Sequence, residues 1–117
     1  MTKVTEIYGS ITIDGHAGMA KRGEDMACAV VSVLFETLIN SITDIAGDKI
    51  EVEERDGYRR IVYEELTEAG MLFVYSFLIG IIGVANEYPD YVELTTDSRR
   101  AINGITVEEK KNEIQEH

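Results

Sequence analysis

The chain has 117 residues, with 22 acidic against 11 basic side chains, a net charge of −11 at pH 7 and 44% hydrophobic residues, a composition that describes one globular domain. That charge excludes the long-range attraction that nucleic acid or an anionic membrane requires, and it favours a basic partner. A single cysteine excludes an internal disulfide, so folding needs no oxidising compartment. Met1 to Ser10 contains Lys3 and Glu6 and has no apolar signal core, so the cytoplasm is the expected location.

The first elements in chain order are two short strands, Val4 to Tyr8 and Ser10 to Ile13, where apolar residues alternate with period two. Asp14 to Gly23 follows, and Gly15, Gly18 and Gly23 break both periods, which marks a flexible loop. From Met26 the pattern becomes helical. Ala27, Val30, Val31, Leu34, Leu38, Ile42 and Ile45 recur at spacings of three and four, with Phe35 and Ile39 as a second apolar row. A stripe this wide predicts contact with a sheet and with something beyond it, a second subunit being the natural candidate. Asp25 is the candidate N-cap and Gly47 the residue that closes the helix.

Ile50 to Glu54 and Tyr58 to Tyr63 read as a hairpin joined through Arg55-Asp56-Gly57. A second helix is expected from about Glu68 to Glu87, with Thr67 or nearby acidic residues at its positive end and Tyr88-Pro89-Asp90 beyond its other end. It contains seventeen consecutive uncharged residues, Ala69 to Ala85, just short of a spanning helix, and we read it as a buried helix. Tyr91 to Thr95 is the last strand. The order β-β-α-β-β-α-β predicts an α+β domain, a mixed β-sheet with two packed helices over residues 1–95. Residues 96–117 form a charged C-terminal extension, with a short helix expected after Thr106. All but one unit of the net charge falls in residues 1–95, so the acidity belongs to the domain.

Chemistry is concentrated in a few residues. His117 is terminal, which leaves His16, twelve residues before Cys28. With Asp25 as N-cap, Cys28 falls at the third helical position, where unpaired amides and the positive end of the helix dipole favour a thiolate. The Asp25 carboxylate rigidifies that turn while opposing the anion. A histidine brought in by the glycine loop would form the ion pair that activates cysteine nucleophiles, and the free amides would serve as an oxyanion hole. Ser32, one turn after Cys28, would contact substrate or loop, or else bond a carbonyl within its own helix. Tyr88 and Tyr91 would line a groove for apolar substrate residues. The bland alternative is a small buried cysteine among Met26, Ala27, Ala29 and Val30. One cysteine and one usable histidine do not make a zinc site, the loop lacks phosphate-binding spacing, and no metal or cofactor is expected.

Gly15-His16-Ala17-Gly18, followed by Gly23-Glu24-Asp25-Met26-Ala27-Cys28-Ala29-Val30-Val31-Ser32, resembles the signature of the ribosomal-processing cysteine protease (Prp) family. Ser76 to Gly80 and Glu87 to Val92 resemble its second helix and final strand, so the likeness runs from about Val4 to Thr95. Met26-Ala27 before the cysteine and the extension after Thr95 depart from the family pattern. The resemblance implies a homodimeric cysteine endopeptidase that removes a short N-terminal extension from a bacterial large-subunit ribosomal protein precursor, or, in phage relatives, acts on a phage structural protein. It places the nucleophile at Cys28, the general acid/base at His16 and the motif's aspartate at Asp25, and the loop from Gly15 to Gly23 over the site. Two other classes fit the composition: an acidic binding module or assembly factor for a basic ribosomal protein, with Cys28 inert, and a thiol redox sensor.

Overall fold

The computed structural model describes residues 1–15 and 22–98, without the side chains of 22–24. Strand β1 (Thr2–Ile7) turns through Tyr8-Gly9 into β2 (Ser10–Asp14). Helix α1 (Arg22–Asn40) runs on through a π-helical turn, Ser41–Ile45. The hairpin β3 (Glu51–Arg55) and β4 (Tyr58–Val62), helix α2 (Glu68–Glu87) and strand β5 (Val92–Thr96) complete the order. The expected element sequence is therefore the observed one. The Asp56-Gly57 turn owes its tightness to Gly57 at φ 72°, a conformation that glycine adopts without steric cost.

The five strands form one mixed sheet in the order β3-β4-β2-β1-β5. Neighbours pair antiparallel except β1 and β5, which are parallel and match Thr2 to Val92 and Val4 to Leu94. Parallel pairing needs a long connection, and here residues 8–91 supply it. Register puts Val4 opposite Ile13 and Ile11 opposite Ile61, so the inward residues of three strands meet under the helices.

The core forms where that face meets α1 and α2. Phe35, Ile11, Ile42, Ile61, Leu78, Ile81 and Val4 are fully buried, and the Phe35 and Phe77 rings pack tilted with centroids 5.9 Å apart. The buried stripe of α1 is Ala27, Val31, Phe35 and Leu38, continued by Ile42. Phe35 is thus the centre of the interface, whereas Val30 and Ile45, expected on the stripe, are exposed. Gly80 lets the helices approach, since a methyl group there would lie 3.3 Å from a Leu34 δ-carbon.

Both helices have the length and apolarity of a membrane span. Yet α2 buries Gly70, Val74, Phe77, Leu78, Ile81, Ile82 and Val84 within the domain, as a core helix does. Its start carries a side-chain cap. Thr67 accepts from the Gly70 amide at 3.2 Å, and the Asp48 carboxylate accepts from both the Thr67 amide, at 3.1 Å, and its hydroxyl, at 2.9 Å.

Candidate active site

Cys28 lies on α1, partly exposed, at the end of the sheet where β2 finishes and β1, β4 and β5 begin. Its sulfur is 2.9 Å from the Thr2 hydroxyl. Thr2 is the first residue of β1, buried to 3% exposure, and its amide donates to the Tyr91 carbonyl at 2.7 Å. Gly15 closes over this pair: a Cβ there would stand 2.7 Å from the Thr2 Cα and 2.8 Å from its Oγ1. The Gly15 amide donates to the Gly57 carbonyl at 3.0 Å, so the hairpin turn fixes where the glycine loop leaves β2.

Helix α1 starts at Arg22, three residues ahead of the expected cap. Asp25 is consequently inside the helix and is not its N-cap, although an exposed carboxylate this near the positive end still suits the dipole. Gly23 likewise belongs to the first turn rather than to the loop. Cys28 is a second-turn residue, not the third helical position, and its amide faces the carbonyl one turn back. The oxyanion role expected of helix-start amides therefore does not extend to the Cys28 amide. The apolar stripe set the expected boundary at Met26, but polar residues ahead of a stripe can continue a helix without adding to its periodicity.

Ser32 lies one turn beyond Cys28, exposed, and lines an open groove of about 490 Å³ with Gly15, Ile13 and the hairpin residues Glu54 to Arg59. Arg59 stiffens this wall. Its guanidinium reaches Glu36 of α1 at 2.6 Å and Glu54 of β3 at 2.8 Å, 5.0 Å from the Phe35 ring centroid. Burial works against the Arg59 charge, but hydrogen bonds to both carboxylates outweigh it and raise its pKa. Tyr88 and Tyr91 stand at the same end of the sheet, through the Tyr91 carbonyl that holds Thr2, and the groove is lined without them. A larger cavity, about 680 Å³, lies at the opposite end between Gly47 to Glu51 and Val62 to Glu65. It is remote from the thiol. Among the described residues, no group of three or more His, Cys, Asp or Glu side chains is placed to hold a metal. His16, Gly18 and residues 99–117, including the helix expected after Thr106, lie outside the described residues.

Thr2 escaped the sequence reading because a threonine beginning a strand looks like ordinary β-propensity. Only the close approach at Gly15 carried a signal, as a glycine immediately after a strand. A partly exposed thiol held by a buried hydroxyl, beside an open groove on a small α+β scaffold, has the parts of a thiol hydrolase. The model for the family "Cysteine protease Prp" matches residues 1–93. The chain belongs to that family and is a cysteine protease. The ribosomal processing cysteine protease Prp of Bacillus subtilis is 23% identical over 95 residues, covering 75% of this chain and 85% of that protein. A Streptococcus mutans crystal structure aligns with a TM-score of 0.66 and 30% identity over 81% of this chain and 90% of that one. The Staphylococcus aureus Prp, solved with a covalently linked product peptide, aligns with a TM-score of 0.70 and 19% identity, over 82% of this chain and 97% of that one.

Proposed function

We propose that this cysteine protease removes a short N-terminal extension from a large-subunit ribosomal protein precursor, or processes a phage structural protein, by a Cys28–His16 dyad. The observation that carries the reading is the place of Cys28, the chain's one cysteine, partly exposed on α1 one turn before Ser32, which lines the groove. The processing named for the Bacillus subtilis relative and the substrate peptide bound to the Staphylococcus aureus enzyme supply the reaction class. A ribosomal precursor is strongly basic, and a net charge of −11 would draw it in and speed encounter.

In this mechanism the Cys28 thiolate attacks the scissile carbonyl and forms a tetrahedral intermediate. His16 then protonates the leaving amine as the C–N bond breaks. The shortened precursor departs as that amine, and water, deprotonated by the same His16, hydrolyses the thioester and releases the extension as a free acid together with the free thiol. No metal or cofactor takes part. Ser32 contacts the substrate or the loop, and Gly15 and Gly18 let the loop close over the peptide.

The enzyme would work in the cytoplasm as a homodimer. Met26, Val30 and Val33 on α1 and Leu72 and Ile79 on α2 are exposed on the helical layer, and a second copy would cover them. The test is to incubate the protein with ribosomal precursors carrying N-terminal extensions and with phage capsid precursors, and to weigh the products. A shortened precursor that disappears with Cys28→Ala supports the reading. Binding without any cleavage would assign the acidic surface a carrier role instead.

A further inference from the structure

A buried hydroxyl is costly unless it is paired, and the partner the structure gives Thr2 is a sulfur. Valine would fill the same space at the start of β1 without a polar atom to satisfy. Thr2 is instead held on three sides: its amide bonds the Tyr91 carbonyl, its strand pairs with Val92, and Gly15 packs against its Cα and Oγ1. The hydroxyl therefore has little freedom to turn away from Cys28, 2.9 Å distant.

We infer that Thr2 is a positioning residue for the nucleophile, its hydroxyl fixing the Cys28 side chain and donating a hydrogen bond to the sulfur once the thiol has lost its proton. This rests on Cys28 being the nucleophile. In the neutral thiol either atom can donate, but a thiolate has no proton, so the Thr2 O–H must then point at the sulfur. That bond becomes charge-assisted in the ionised state alone. Gly15 has a second duty in consequence. Any side chain there would displace the hydroxyl that faces the sulfur, so the residue immediately before His16 must be glycine for Thr2 to keep its place.

The full chain with Thr2→Val keeps the shape of Thr2 and removes the donor, while Thr2→Ser keeps the donor and removes a methyl group. Two readouts follow the one cysteine at neutral pH: the ultraviolet thiolate band, with Cys28→Ala as blank, and the rate of iodoacetamide alkylation by mass. Thr2→Val is expected to shrink the band and to slow alkylation roughly tenfold, the size of one hydrogen bond to a charged group. Thr2→Ser should restore both. An unchanged band and rate in Thr2→Val, with Cys28→Ala inactive in cleavage, overturns the role of Thr2 and leaves the nucleophile standing. Thr2→Ser impaired as much as Thr2→Val assigns packing alone and overturns it too. Cleavage surviving in Cys28→Ala removes the nucleophile reading first.

Discussion

The two ends of the sheet treat polar groups in opposite ways. At the end remote from Cys28, the Glu6 carboxylate, 2% exposed, accepts from the Thr96 hydroxyl at 2.6 Å and from the Ser98 amide at 3.3 Å. Asp48, Thr67 and Gly70 form a second closed network there. At the near end, the Cys28 sulfur has one described hydrogen-bond partner, Thr2, and an open groove beyond. A saturated network resists rearrangement, whereas a nucleophile must release a partner or a proton as it attacks. With Cys28 as the proposed nucleophile, the contrast separates a scaffold end from a reactive end, so substitutions at the first should damage stability alone and substitutions at the second activity as well.

The largest expected effect is at the reactive end. Cys28→Ala should lower cleavage on the order of 10⁴-fold or more while the chain still folds, its unfolding free energy reduced by about 1 to 3 kcal/mol because little buried volume is lost but the buried Thr2 hydroxyl loses its partner. Gly15→Ala tests whether the near end tolerates filling. Its methyl group meets backbone at 2.7 Å, so a loss of about 2 to 3 kcal/mol in denaturant unfolding is expected, together with slower alkylation of Cys28. Cleavage at the parent rate in that variant would dissolve the link between loop and sulfur.

The remaining two predictions probe the scaffold end. Burial, then the Glu6 charge, then Tyr75 and Tyr8, push the Tyr63 hydroxyl up to about 12. The folded state thus holds its proton more tightly than the unfolded chain, whose tyrosine ionises near 10. Stability from this group is complete below about pH 10 and disappears as pH rises toward 12, by no more than about 2 kcal/mol because solvent screens part of the effect. Tyr63→Phe should flatten that fall in unfolding measured across the alkaline range. Smallest is Thr67→Ala, expected to cost about 1 kcal/mol through loss of the helix cap while cleavage stays at the parent rate. An activity defect there would mean that the two ends are coupled.

Most of the scaffold was legible in the sequence, because period-two and period-3.6 patterns report burial directly. The Asp56-Gly57 turn, the Thr67 start of α2 and the order of all seven elements follow from local chemistry. Strand order did not, since the pairing of Thr2 with Val92 depends on residues ninety positions apart and leaves no local trace. The start of α1 was misplaced for a related reason. Arg22 to Asp25 form a turn ahead of the apolar stripe, and polar residues give no periodicity to read. Cys28 is legible as the chain's one thiol, twelve residues after His16, but Thr2 becomes legible only once the fold sets its hydroxyl against the sulfur.

The parallel pairing of β1 with β5 has a consequence in time as well as in space. Thr2 finds its strand partner in Val92 and its amide acceptor in Tyr91, residues made near the end of the domain. Contacts so distant in sequence pay the largest loop-closure entropy and form late in folding. The helix that carries Cys28 is synthesised early, but the support beneath its sulfur is completed only when the last strand docks. A nascent or truncated chain lacking β5 keeps the pairing of β1 with β2 but loses the Tyr91 carbonyl that holds the Thr2 amide, so the contact between Thr2 and Cys28 is expected to be looser there.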